Sequence, residues 1–563
     1  YTVKDTLSLH DALPISTLVF VSAISWSPAD AALTSLEQLG KQLFFDDISR
    51  PTPQSCASCH DPAAGWVGAN PGINLHGGVY RGADPRRFGN RKPPSSAYAA
   101  WNPVFHYDDV EGEFVGGVFW DGRATGERLG SPTAEQALGP FLNPVEQNMP
   151  SKEAVCEHVA NSSYAALFEE VWGPGSLDCS EFGVAVMYDR IGLSIAAYEA
   201  SSEVNPFSSK FDAYWNACID AGNSPEECGL ALRDQAVLDP MDYFTAQEFD
   251  GLIEFGEYCS PCHVSHEFGP NGENPLFTDF RYDNIGVPRN PRNPFYDMDR
   301  VLLDDGEPIN PLGEDFVDYG LGGFLRSRPE FEHLASENDG KFKVPTVRNV
   351  DLRPGRSAGE GDDSDMMMAK RRRPVGEFAK AYMHNGVFDS LEEVVHFYNT
   401  RDVPSENWPE PEVPQNVNRD LFEGVPMGNF ELEPEDEEAI VAFLRTLSDG
   451  YFDPAETVVV AREPSGSSAV LHDLVGASLE LKVIGNTGRI QFQLPTEGPV
   501  EVTVFDVRGR RVDSLGTTRL PSGRNTLEWD GRDASGQFVG NGVYHFRVRT
   551  AFTTEAVKGL WLR

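Results

Sequence analysis

Two stretches of this chain repeat one spacing, C-x-x-C-H: Cys56-Ala-Ser-Cys59-His60 and Cys259-Ser-Pro-Cys262-His263. In that order each thiol can add across a vinyl group of a haem, and the adjoining imidazole then lies under the iron. A zinc half-site and a redox C-x-x-C are the other readings of a single copy. Two copies, each on or beside a helical pattern, point to two covalently bound haem c groups. Paired zinc is the weaker reading, because the residues between the copies offer no matching C-x-x-C.

The remaining pattern says what surrounds those sites. Leu36, Leu39, Gly40, Leu43 and Phe44 recur at helical spacing just before the first motif. Thr245 and Glu248 form a capping box that opens a helix running into Cys259. "EPEDEEAIVAFLRTLSD" (433–449) is a third helix, acidic at its start as the helix dipole prefers. Between them lie long Gly/Pro-rich loops, so the first 450 residues read as mostly α. After Tyr451 the period changes to two. "RIQFQLP", "VEVTVFDV", "NTLEWDG" and "GVYHFRVRT", with turn signals at Arg508-Gly509 and Asn541-Gly542, predict a small antiparallel β-sandwich behind the linker "REPSGSSA" (462–469).

At 563 residues the chain is long enough for three or four domains. Its net charge of −41 argues against nucleic acid or an anionic membrane as partner, and suits either a basic partner protein or simple solubility. Of the eight cysteines, Cys156/Cys179 and Cys218/Cys228 remain outside the repeated motif at spacings that suit two local disulfides and an oxidising compartment. "YTVKDTLSLHDALPIS" reads as translated sequencing-adapter sequence, and "TLVFVSAISWSPADA" as a secretory-signal remnant with its A-x-A site at Ala29-Asp30-Ala31. No other run approaches bilayer-spanning length.

Five segments, "LGKQLFFDDISRPTPQSCASCHDPAAGW", "FWDGRATGERLG", "EQALGPFLNPVEQNM", "FKVPTVRNVDL" and "AYMHNGVFDSLEEVVHFYN", together resemble the bacterial di-haem cytochrome c peroxidase family, which includes the MauG-type enzymes. The resemblance implies a mainly α fold of two cytochrome c-type haem domains facing each other, followed by the small C-terminal antiparallel β-sandwich. The chain then divides into 1–31 (adapter artefact and signal remnant), 32–244 (N-terminal domain with the peroxide-reacting haem), 245–450 (C-terminal domain with the second haem), 451–470 (linker) and 471–563. The last segment resembles FlgD-like Ig domains, and such tails sort, anchor or space exported bacterial proteins.

The family's roles carry over residue by residue. Cys56, Cys59, Cys259 and Cys262 attach the haems, and His60 and His263 are the proximal ligands. Trp120 in "FWDGR" matches the tryptophan between the haems, where an indole relays electrons. Glu146 matches the distal carboxylate, and Gln136 and Pro140 match its pocket neighbours. A carboxylate there can move a proton between the two oxygens of peroxide. An insertion around "GERLGS" lengthens the span from Trp120 to Gln136. His76, sixteen residues after His60, matches the histidine that caps the first haem in some members, and reads equally as a loop histidine. Tyr398, fourteen residues after His384, stands where MauG-type enzymes have a tyrosine ligand and other members a methionine. A phenolate ligand would lower the second haem's potential. Met383, Met366 to Met368 and Met427 remain as alternatives, as does simple helix packing of Tyr398.

Two departures stand out. The family's calcium site, partly built from an asparagine in R-N-x-P-S, meets Lys92 in "RKPPS", and "TAPY" is here "AKAY" (379–382), which puts Ca²⁺ in doubt. The insertion 353–378, with its Lys370–Arg373 run, reads as a surface loop or a partner-docking element.

The resemblance therefore implies an oxidoreductase of the cytochrome-c peroxidase type. It would reduce hydrogen peroxide with electrons from a small cytochrome c or cupredoxin, in the periplasm or exported to the cell surface of a Gram-negative-type bacterium. The alternative is a MauG-like enzyme whose two ferryl-like haems oxidise residues of a partner protein. A non-catalytic surface electron carrier is the third reading.

Overall fold

The helix Ser35–Phe45 (α1) starts at Thr34, whose side chain and that of Glu37 cap each other's backbone N–H groups. Its Leu39, Leu43 and Phe44 are buried against the helix Val184–Glu199 (α2). The crossing depends on Gly40, where a Cβ atom would lie 1.9 Å from the Ser194 carbonyl oxygen. The same construction recurs. The helix Ala246–Tyr258 (α3) opens on the expected Thr245/Glu248 capping box and crosses the helix Pro434–Arg445 (α4). Here Gly251 makes the approach, since its Cβ would lie 1.8 Å from the Ala439 carbonyl oxygen. One C-x-x-C-H follows α1 and the other begins at the C-cap of α3.

The structure, a computed structural model, describes residues 33–230, 240–270, 272–354, 378–422, 425–452, 482–484, 489–494, 498–506, 511–521, 523–532, 538–539, 542–550 and 554–561. The expected leader 1–31, the bulk of the insertion with Met366 to Met368 and Lys370–Arg373, the linker "REPSGSSA" and the turn residues Arg508, Gly509 and Asn541 lie outside them. The chain divides into two compact units, Tyr1–Val459 and Val460–Arg563.

Both C-x-x-C-H motifs belong to the first unit, which has two main cores. One gathers α1, α2 and Trp66; the other gathers α3, α4 and the helix Leu391–Thr400. The helix Lys210–Asp220, assigned by sequence to the first haem half, buries Phe211, Tyr214 and Trp215 in the second core. Buried Asp212 holds it there through two hydrogen bonds from Arg348, at 2.9 and 3.0 Å. The boundary at 244/245 therefore cuts the sequence where packing does not. Both expected disulfides form, Cys156–Cys179 and Cys218–Cys228.

The third helix ends at Arg445 rather than Asp449. Thr446 Oγ1 donates to the Phe443 carbonyl at 2.6 Å and closes the turn, which frees Asp449 to accept from Tyr98 Oη at 2.7 Å and Asn349 Nδ2 at 2.8 Å.

In the second unit all strand pairs are antiparallel. Arg511–Leu520, Gly498–Asp506, Gly542–Thr550 and Thr554–Trp561 lie side by side in that order; Gly523–Glu528, Arg489–Leu494 and Lys482–Ile484 form a second sheet. The apolar positions of the period-two pattern, among them Ile490, Phe492, Val502, Val504, Phe546 and Val548, meet in one core around Trp529. Among the described residues no helix is long and apolar enough to cross a membrane.

Candidate active site: two cavities joined at Trp120

Each C-x-x-C-H is drawn into a tight turn. His60 N–H donates to the Cys56 carbonyl at 3.0 Å, and His263 N–H to that of Cys259 at 2.8 Å. The two imidazoles are held alike: His60 Nδ1 lies 3.2 Å from the Trp66 carbonyl, and His263 Nδ1 lies 3.1 Å from that of Phe277. A carbonyl can only accept, so Nδ1 carries the proton in both and Nε2 keeps its lone pair for a metal. Burial keeps the rings neutral, pushing His60 down to about 4 and lowering His263 as well.

The first cavity collects Cys56, Cys59, His60, Gln136, Glu146 and Trp120. Gln136 and Pro140 lie one turn apart on the helix Pro132–Leu142 and reach the same wall. The inserted "GERLGS" loop is fastened to that helix by Glu135. Its carboxylate accepts from the backbone N–H groups of Gly126, Arg128 and Leu129 at 2.8, 2.7 and 2.9 Å. Glu146 follows the helix, and its Oε2 accepts from Asn143 Nδ2 at 2.9 Å. Burial raises its carboxyl above the ordinary value, against the opposing pull of Arg123 and Asn143. His76 is not brought to this cavity: it caps the short helix Pro71–Leu75, is exposed, and its Nδ1 lies 2.6 Å from the Gly72 carbonyl.

The second cavity collects Cys259, Cys262, His263, Tyr398, His384 and again Trp120. On the helix Leu391–Thr400, Leu391, Val394, Val395 and Tyr398 form one i, i+3, i+4, i+7 stripe on the cavity wall. Burial raises the Tyr398 phenol further above its usual value, and the neighbouring Cys262, Cys259 and Asp283 add to it. Met383 and Met427 line the same cavity.

Trp120 is tied to both halves. Its Nε1–H donates to the Lys92 carbonyl at 2.8 Å, and its own carbonyl accepts from Lys343 N–H at 2.9 Å. Between the cavities Lys92, Lys343 and Lys380 share a third hollow with it. Burial lowers these ammonium groups to about 8, 7 and 7. Lys92 Nζ donates to the Pro93 carbonyl at 3.1 Å, and Lys380 Nζ to those of Asn349 and Leu352 at 2.8 and 3.0 Å. Ammonium groups thus already hold carbonyls near the place a calcium ion was expected, and this donor set does not fit one.

Sequence reasoning passed over His384 as a mere counting point. It is buried, stacked on Phe342 at 3.5 Å, 6.5 Å from Trp120, and its Nε2 has no protein partner. Glu199, likewise missed, lines the first cavity with Oε2 unpartnered, and burial lifts it to about 8. Both sit inside apolar or helical patterns, where a one-dimensional reading expects packing. Two thiols and an oriented Nε2 in each cavity, with the polar His384 Nε2 left over in the second, fit haem as the group held. Among the described residues no group of three or more His, Cys, Asp or Glu side chains is arranged to hold a metal ion by itself.

The family model "Di-haem cytochrome c peroxidase" matches residues 34–218, and "FlgD Ig-like domain" matches 478–553. Methylamine utilization protein MauG of Paracoccus denitrificans (strain Pd 1222) is 32% identical over 440 residues, covering 76% of this chain and 91% of MauG. The chain belongs to the di-haem cytochrome c peroxidase/MauG family.

Another relative in this family, cytochrome-c peroxidase IdrP2 of Pseudomonas sp. (strain SCT), is 25% identical over 426 residues, covering 75% of this chain and 83% of its own. The crystal structure of the diheme peroxidase BthA from Burkholderia thailandensis E264 is similar at 28% identity and a TM-score of 0.53, covering 76% of this chain and 89% of BthA. As a di-haem peroxidase family member the protein is an oxidoreductase with two haem groups. Such chemistry takes peroxide together with an electron donor or a protein substrate.

Proposed function

We propose that the protein reduces hydrogen peroxide to water at the first cavity, with electrons from a small redox protein such as a cytochrome c or cupredoxin. The observation that carries this reading is Glu146, a carboxyl with a raised proton affinity in the same cavity as Cys56, Cys59 and His60. Cys56 and Cys59 would hold the first haem by thioether bonds and His60 Nε2 would bind its iron. Cys259, Cys262, His263 and Tyr398 would do so for the second, in two cytochrome c-type domains followed by a β-sandwich. Haem bound there supplies iron able to take electrons and pass them to peroxide.

The chain's own residues do the rest. The Trp66 and Phe277 carbonyls orient the two imidazoles. Asn143 Nδ2 steadies Glu146 Oε2, whose partner oxygen takes a proton from one peroxide oxygen and returns it to the other. Trp120, in the wall of both cavities, relays electrons. His76, turned to solvent, would not cap a haem held by His60 in this arrangement. Lys92 and Lys380 stand in for calcium. The two disulfides support an exported, oxidising location, periplasm or cell surface, with the β-domain as sorting, anchoring or spacing element.

The test is stopped-flow peroxide reduction with a reduced donor. The wild type oxidises the donor; Glu146→Gln, with both haems attached, does so at least about 100-fold more slowly. Equal rates overturn the reading. Tyr398 in the second cavity favours a second reading, oxidation of residues in a partner protein. Peroxide consumption without donor oxidation, together with mass changes in a co-expressed partner, would select it.

A further inference from the structure

Beside the first cavity, on the side of His60, three aromatic rings meet edge to face. Phe44 lines the cavity and lies 5.7 Å from Trp66 and 5.7 Å from Tyr198, centroid to centroid; Trp66 and Tyr198 are 6.0 Å apart. All three are buried, and the backbone of Trp66 carries the carbonyl that accepts from His60 Nδ1. Tyr198 Oη donates to Glu203 Oε1 at 2.9 Å. Glu203 is 40% exposed and paired with Lys41 at 2.5 Å, so a fully buried phenol is connected to solvent through one carboxylate. Lys41 Nζ also lies 6.0 Å from the centre of the phenol ring. Packing alone would need the ring but not the hydroxyl; a buried hydroxyl aimed at a half-exposed carboxylate is what a phenol needs to lose an electron and a proton together.

We propose that Tyr198 is a redox-active tyrosine that gives up one electron on this side of the first cavity, with Glu203 as its proton acceptor. The inference rests on the peroxidase reading for its natural oxidant. Reduction of one hydrogen peroxide to two waters takes two electrons and two protons. One of these electrons leaves Tyr198 through the Trp66 and Phe44 contacts toward the first cavity, where a haem held by His60 would accept it; the second electron comes from the external donor and both consumed protons from solvent. The phenol O–H bond breaks, its proton goes to Glu203 Oε1, and a neutral phenoxyl radical remains. A one-electron donor later refills Tyr198, and the proton returns from Glu203.

Freeze-quench EPR of the holoprotein after peroxide addition tests the step. The expected result is a radical signal that narrows when the protein carries ring-deuterated tyrosine and vanishes in Tyr198→Phe, although Tyr198→Phe still consumes peroxide. In Glu203→Gln, a surface change that preserves the core, the radical forms about 100-fold more slowly. A signal unchanged in Tyr198→Phe, or none while peroxide is consumed, overturns the inference. Flash-quench oxidation with a ruthenium polypyridyl complex asks the same question without peroxide. A Tyr198-dependent radical there, in a protein inert to peroxide, would sink the peroxidase reading and keep the redox tyrosine; no such radical in either experiment sinks the tyrosine.

Discussion

Trp120 Nε1–H donates to the backbone carbonyl of Lys92 at 2.8 Å, while Lys92 Nζ lies 5.8 Å from the centre of the same indole. Lys92 is therefore both the anchor of the residue shared by the two cavities and a cation close to its ring. The adjoining Arg91 is locked by Asp121 and Asp318 at 2.7 Å each, which makes the anchor rigid.

Trp120→Phe removes the donor and leaves the partly buried Lys92 carbonyl without it. Thermal or denaturant unfolding should report a loss of about 1–3 kcal/mol. Electron exchange between the haems, followed by stopped-flow absorbance, should slow while haem attachment stays complete. Unchanged exchange would remove Trp120 from the relay.

Tyr398→Phe tests the second cavity. If Tyr398 is the distal ligand, the absorption and EPR spectra of the second haem change while the first haem's do not. An unaltered spectrum would move the ligand to Met383 or Met427, and leucine replacements at those positions would identify which.

Gly251→Ala should disrupt the crossing of α3 and α4, because the added Cβ meets backbone rather than a side chain that can turn away. The cost should be about 3 kcal/mol, the upper end for overpacking. It should be read as a lower unfolding midpoint with no change in the second unit's β signal.

Asp46 and His158 supply a pH-dependent contact at 3.0 Å. The histidine is raised, chiefly by its hydrogen bond to Asp46, so its contribution is complete below pH 6.5 and is lost as pH rises through the higher folded value. Asp46 is lowered, its bonds from His158 and Tyr164 outweighing desolvation, so its contribution is complete above pH 3.8 and is lost as pH falls through the lower folded value. Both groups are partly exposed, which limits the effect to about 0.2–1 kcal/mol. His158→Gln should therefore destabilise more at pH 5.5 than at pH 8.5, measured as a difference in Tm.

Legibility in the sequence followed the range of the interaction. Capping boxes, a motif of five residues and a period-two strand pattern each lie within a few positions, so Thr245, Cys259 and Ile490 could be read directly. The strands Lys482–Ile484, Arg511–Leu520 and Thr554–Trp561 alternate less cleanly and carry no comparable signal. The end of α4 was missed because Asp449 serves distant partners, Tyr98 and Asn349, rather than the helix.

By itself the sequence determined the two haem-type motifs, the helices that precede them and a change to a β pattern after Tyr451, since backbone propensity and side-chain period are local properties. Only the tertiary structure decided that Lys210–Asp220 packs in the second core, that Trp120 is anchored to the Lys92 carbonyl, that His76 faces solvent, and that Tyr198 reaches Glu203. Those outcomes depend on which buried surfaces and polar groups can be satisfied together, and that choice is made among residues far apart in the chain.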